Sequence, residues 1–251
     1  MKNKTAKRQR LNIFTLYKQT FREWLKNFNS YTKIVLVVAI PVAILTVLQA
    51  DGNTGDFGLT MAFAWSFTSI ALILLASNGK TPLKEKISTL YSAAGGRFLQ
   101  YIGVSLVLIL MATPGLAGWL GIVSALGGSG TSALYLIIAG LAGIIISIYL
   151  LVRFNIAQVI TVAESKSVMQ SLKSSFKLSK RHFWGMLAGY VIILLGVFLL
   201  ANGVQLLLSI RQSINENIYI NNLVYVVEAT IFLPIIYIYQ LKLLRALNGE
   251  G

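Results

Sequence analysis

Six apolar runs, each near or above the ~20 residues needed to cross a hydrocarbon core, constrain this chain more than any other feature. They occupy residues 34–50, 57–77, 98–126, 131–152, 183–210 and 223–244. The third and fifth are long: about 28 residues at ~1.5 Å each make ~42 Å, against a core of ~30 Å. Such runs tilt, bend or project. Pro114-Gly115 gives the third a place to bend, because proline lacks a backbone donor and crowds the preceding turn; Pro41 and Pro234 do the same for the first and sixth. The first run begins behind roughly thirty polar and amphipathic residues, too many for the n-region of a signal peptide, so it reads as a retained span.

Composition agrees. The 251 residues are 56% hydrophobic and 12% charged, with a mean hydropathy of +0.72. A soluble domain carries about a quarter charged residues, and so much apolar surface finds room only in lipid. The net charge of +14 is spread over short segments between the runs. No single basic face forms, which argues against nucleic acid; Lys and Arg flanking spans need only anionic lipid. There is no cysteine, which excludes disulfides, thiol nucleophiles and thiolate metal sites.

The cations set the orientation. Lys2, Lys4, Lys7, Arg8, Arg10, Lys18, Arg22, Lys26 and Lys33 precede the first run; Lys80, Lys84, Lys86 and Arg97 fill the second loop. Arg153, Lys166, Lys173, Lys177, Lys180 and Arg181 fill the fourth, and Lys242 and Arg245 the tail. The odd-numbered loops hold Asp51, Asp56 and Glu216, with Arg211 as their one cation. Six spans with both termini cytoplasmic satisfy this alternation, and an odd count breaks it.

Three basic segments also carry helical periodicity. Phe14, Tyr17, Phe21, Trp24 and Phe28 recur at steps of three and four beside Lys18, Arg22 and Lys26, the pattern of a helix lying in the headgroup layer; packing on the bundle is the alternative. Leu83, Ile87, Leu90 and Ala94 repeat it after Pro82, a first-turn proline. Ser167 and Gln170 form a capping box before a helix whose apolar edge, Val168, Leu172 and Phe176, opposes Lys173, Lys177 and Lys180. Each precedes a span, so the expected fold is an all-α six-span bundle with three amphipathic interfacial helices on the cytoplasmic side, in three loosely repeated units within one integral domain. Such repeats share one orientation, unlike inverted transporter repeats.

Residues 153–190 resemble the membrane domain found beside some bacterial glycerophosphodiester phosphodiesterases and in related stand-alone proteins. The likeness rests on Arg153 closing a span, an apolar stretch ending at Glu164, the Ser175-Phe176-Lys177-Leu178 core of a short helix, and Phe183-Trp184 opening the next span. Residues 16–41 are similar in style to that family's opening helix and first span, and Ser171 departs from an alanine frequent there. The resemblance implies the fold and the membrane location. It does not carry over the phosphodiesterase activity, since these residues hold no such domain.

Candidate sites are few. Glu228 is the one acid well inside an apolar run, ~9 Å past Asn222 along the sixth helix, and an intramembrane carboxylate is a functional candidate that competes with an interfacial or protonated structural role. Arg153 and Glu164 are candidates for a structural clamp at the inner mouth of span four. His182, beside Phe183-Trp184, reads as an interfacial anchor. Gly185-x-x-x-Gly189 and Ala139-x-x-x-Gly143 suit close helix packing. Eight scattered acids, one histidine and no cysteine leave no constellation for catalysis and no metal or cofactor site. Two readings stand: a non-catalytic membrane protein whose Lys18, Arg22, Lys26, Lys173, Lys177 and Lys180 engage anionic lipid, a partner complex or a second copy; and a small transporter or lipid conduit using Glu228.

Overall fold

A computed structural model describes residues 12–50, 58–77, 87–127, 131–209 and 218–249, all as helices and their turns. Lys2, Lys4, Lys7, Arg8, Arg10, Asp51, Asp56, Lys80, Pro82, Leu83, Lys84, Lys86, Arg211 and Glu216 lie outside the described residues. Ten helices follow in order: α1 (Ile13–Lys26), α2 (Phe28–Ala50), α3 (Gly58–Ser77), α4 (Ile87–Gly95), α5 (Phe98–Leu126), α6 (Thr131–Phe154), α7 (Ala157–Ala163), α8 (Val168–Ser179), α9 (Phe183–Ser209) and α10 (Ile218–Asn248). Among the described residues, α2, α3, α5, α6 continued by α7, and α10 are long and apolar enough to cross a membrane. The chain is a multi-pass, all-helical membrane protein.

The core gathers around α3. From Thr68 to Ala76 every residue is buried, so this helix has no free face in its second half. Its sequence there is apolar all round, as a helix enclosed by other helices must be. α2 and α10 flank it, contributing Tyr31, Ile34 and Val35 from one and Ile238, Tyr239 and Leu243 from the other. Several polar side chains inside this core are paired, although the Tyr190 and Tyr239 hydroxyls have no partner among the described residues. Tyr237 donates to Ser69 Oγ at 2.7 Å and lies 3.1 Å from the Tyr101 hydroxyl, linking α10, α3 and α5. Tyr91 of α4 donates to the Ile34 carbonyl at 2.8 Å. Between membrane helices each such bond contributes about 0.6 kcal/mol, mainly fixing register.

α5 and α6 form a hairpin packed mostly on itself, and the seam explains the Pro114 region. Proline leaves the Leu110 carbonyl without its donor, and Thr113 Oγ1 supplies one at 2.7 Å. One residue on, Ser147 of α6 enters the ladder: it accepts from Gly115 N at 2.6 Å and donates to the Met111 carbonyl at 3.0 Å. Backbones then meet directly. A Cβ at Gly118 would lie 2.3 Å from the Gly140 carbonyl oxygen, and one at Gly143 would lie 2.4 Å from that of Pro114. Gly143 belongs to the small-residue spacing read from the sequence. Its partner at the seam is Gly140, because Ala139 sits one residue out of phase and is exposed.

Two of the three short helices, α1 and α8, use their faces differently from the pattern expected. α1 starts at Asn12, whose side chain accepts from Thr15 N at 3.1 Å. It buries Leu16, Thr20 and Trp24, largely against α10, while Phe14, Phe21 and Phe28 remain exposed. The aromatic stripe is therefore split, because it wraps wider than one contact line. α4 buries Leu90 and Ala94 as expected. In α8 the buried face is Ser171, Leu172, Ser175 and Ser179, and Phe176 is exposed by 42%. The apolar edge expected through Phe176 gives way to a serine stripe, because the surface beneath it offers a carbonyl.

Candidate functional site

The ends of the long helices that carry the cations converge. Asn248 at the end of α10 donates to Glu164 beyond α7 at 3.4 Å, and Lys242 of α10 binds Glu23 of α1 at 2.6 Å. Arg245 of α10 donates to the carbonyl of Ser77, the last residue of α3, at 2.9 Å. Arg97, just before α5, donates to the Val162 carbonyl at the end of α7. Arg153, near the end of α6, reaches the Phe176 carbonyl in the last turn of α8 at 3.4 Å. Each arginine thus serves a carbonyl near the C-terminal end of another helix, at the negative end of its dipole; the Phe176 carbonyl also accepts from Ser179 Oγ at 3.1 Å. This basic end is locked by cations placed on foreign helix termini.

Arg153 is the most enclosed of them, 8% exposed. Its guanidinium lies 4.8 Å from the ring centre of Phe176, 5.1 Å from Tyr149 and 5.9 Å from Phe183. Its own carbonyl accepts from Ser175 Oγ at 2.7 Å and Ser179 Oγ at 3.3 Å. Cation–π contact of this desolvated kind is worth ~2 kcal/mol. The expected clamp between Arg153 and Glu164 does not form. α7 stands between them and is about 10 Å long at ~1.5 Å per residue, so it carries Glu164 away to Lys166, at 2.6 Å, and Asn248. Arg153 finds aromatic faces and a carbonyl, with no counterion among the described residues.

α7 itself was not foreseen. The chain turns at Asn155 and Ile156, where Asn155 Oδ1 accepts from Gln240 Nε2, and then buries Ala157, Val159, Ile160, Thr161 and Val162. Gln158 donates to Ser105 Oγ at 2.9 Å. The signal available in the sequence was the Asn155-Ile156-Ala157-Gln158 interruption of an otherwise apolar run.

On the α1 side, Tyr17 stacks on Tyr239 with ring centres 4.9 Å apart and donates to the Gly189 carbonyl of α9. Burial pushes the Tyr17 pKa up to about 12. A Cβ at Gly189 would meet the Tyr239 hydroxyl at 1.9 Å, so this glycine of the Gly185-x-x-x-Gly189 spacing makes room for a ring. Burial likewise raises the Tyr91 pKa, with Thr68 opposing it.

The remaining candidates do not join one site. Lys18, Arg22, Lys26, Lys173, Lys177 and Lys180 are all exposed on α1 and α8. Glu228 is half-buried on α10, with no polar side-chain partner among the described residues. His182 is half-buried at the α8–α9 turn. Among the described residues no cluster of His, Cys, Asp or Glu has the makings of a metal site. No family model matches the chain, and no curated protein or solved structure does.

Proposed function

We propose that this is a non-catalytic protein of the plasma or inner membrane whose basic end engages anionic lipid. The reading takes α9 as a sixth span, both termini as cytoplasmic, and the chain as three loosely repeated units of short helix and span pair. One observation carries it. The arginines near the helix axes are consumed by helix-terminal carbonyls, whereas Lys18, Arg22, Lys26, Lys173, Lys177 and Lys180 stay exposed around them. A cation that holds the fold and one that faces out have different roles, and juxtamembrane cations of the second kind draw anionic headgroups at about 1 kcal/mol each. The resemblance to the membrane domain beside glycerophosphodiester phosphodiesterases remains part of this proposal, as do a partner complex or second copy at the same end.

The test uses the full chain in neutral detergent. Added phosphatidylglycerol should raise its unfolding temperature by several degrees over phosphatidylcholine, and the gain should fade in 0.5 M salt. Replacing Lys173, Lys177 and Lys180 by Glu should remove at least half of it. An undiminished gain in that variant would sink the reading. The conduit alternative rests on the unpaired Glu228 and predicts that Glu228→Gln abolishes a solute or lipid flux in proteoliposomes; a fully active variant ends that role.

A further inference from the structure

Between the α4–α5 elbow and the turn from α7 into α8 lies a cleft of about 510 Å³. Arg97 and Gln100 line one wall; Ser165, Lys166, Ser167 and Gln170 line the other. Four features give it a chemical preference. Its two cations come from separate segments, and among the described residues the acid paired with Lys166 is Glu164, at 2.6 Å, while Lys166 also reaches Ser174 at 3.4 Å. α8 begins at the cleft with no acidic residue in its first turn and is capped only by the neutral Ser167–Gln170 box, so no negative charge offsets its positive end there. Ser165 adopts φ +53°, the one left-handed non-glycine among the described residues, and this turn sets Ser165, Lys166 and Ser167 on the same wall. Gly96 contributes no side chain, and a Cβ there would meet only the Ala93 carbonyl at 3.7 Å, so the space is open.

The floor is closed and the height is fixed. A Cβ at Gly103 would lie 2.7 Å from Val168 Cγ2, so α8 seats tightly on α5 just below the cleft. The cleft therefore sits at the first turn of an apolar span, beside Leu99, which is 79% exposed. A ligand held here would have its charged group among donors and any acyl chain beside an apolar helix.

We propose that this cleft binds a phosphate group, presented by the headgroup of an anionic glycerophospholipid. Arg97, whose other guanidinium donors remain beyond the one on the Val162 carbonyl, and Lys166, which Glu164 also holds, supply the charge, and Ser165, Ser167, Gln100 and Gln170 line the cleft with neutral hydrogen-bonding groups. The inference rests on the lipid-engaging reading above but replaces a diffuse surface with one saturable site.

The chain's lack of cysteine makes the test direct. Ala93, exposed on the cleft rim, is replaced by Cys in the full-length protein in neutral detergent, and its rate of reaction with a charged maleimide is measured. Short-chain phosphatidic acid and phosphatidylglycerol should slow labelling saturably, and short-chain phosphatidylcholine should not. Lys166→Gln should weaken the protection about tenfold, the share of one charge-assisted hydrogen bond. Gly96→Leu, which fills the space without touching a charge, should abolish it. Replacing Lys173, Lys177 and Lys180 by Glu should leave it in place, which separates this site from the surface reading. Equal protection by inorganic phosphate would assign the cleft to the free ion and overturn the lipid source. No protection by any of these, or equal protection by phosphatidylcholine, would overturn the site.

Discussion

The α5–α6 hairpin and the α3–α10 core are built from similar residues and do opposite things with them. The hairpin segments are the more apolar, with mean hydropathies of 2.1 and 2.5, yet of an 18-residue apolar stretch in each only 6% and 17% is buried in the protein. The α3 and α10 segments have mean hydropathies of 1.9 and 1.6, and 50% and 44% of the matching 18-residue stretches is buried. In water this ordering would be reversed. In a bilayer the outward face meets hydrocarbon and must be apolar, whereas the enclosed face can hold Ser69, Tyr101 and Tyr237 because they satisfy one another. Burial and hydropathy are separate quantities here, and the contrast between the two regions shows which one packing controls.

Matched substitutions test that contrast most strongly. Ile73→Ala removes a fully buried side chain of α3 and should cost about 2–4 kcal/mol, measured by reversible unfolding in bicelles. Ile145→Ala in α6, where the side chain is 66% exposed, should cost under ~1 kcal/mol, since lipid fills the vacated space. Equal losses would mean that the hairpin face is packed against protein.

Gly118→Leu comes next. Its Cβ falls within the Gly140 backbone, so about 1–3 kcal/mol should be lost and disulfide trapping between Cys pairs introduced across the α5–α6 seam should fail. Gly196→Leu in α9, where nothing lies within 4 Å, serves as its control and should be nearly neutral. Tyr237→Phe removes the hydroxyl between Ser69 and Tyr101 and should cost about 0.5–1.5 kcal/mol in the same unfolding assay. A larger loss would show the chain of hydroxyls acting as one unit. Smallest of all, Glu substitutions at Lys173, Lys177 and Lys180 should change stability in neutral detergent by less than about 0.5 kcal/mol, because these side chains are exposed. Their effect belongs to lipid binding alone.

Much of the frame was legible. The apolar runs at 57–77 and 98–126 coincide with the helices α3 and α5 to within a residue, and Leu90 and Ala94 were read onto the buried edge of α4. The α8 face was misread at Phe176, because hydrophobicity alone cannot show that serines 171, 175 and 179 lie over the end of α6, where Ser175 and Ser179 reach the Arg153 carbonyl. The Arg153–Glu164 clamp failed for a related reason. Charge complementarity suggested a pair, while α7 put its length between them and gave each a different partner. Lys166 was read only as a loop cation, and its place in the cleft depends on a left-handed turn at Ser165 that no propensity announces.

By itself the sequence determined that this chain lives in a bilayer as a set of helices, with its cations gathered in alternate loops. Transfer of apolar side chains into lipid and the obligatory pairing of backbone groups are local and additive, so they can be summed along a chain. Only the tertiary structure decided that α3 is enclosed while α5 and α6 face outward, which arginine caps which helix, and where the cleft opens. Those outcomes depend on the mutual fit of segments far apart in sequence: a glycine against a carbonyl, a guanidinium against three rings, and a seven-residue helix between two charges.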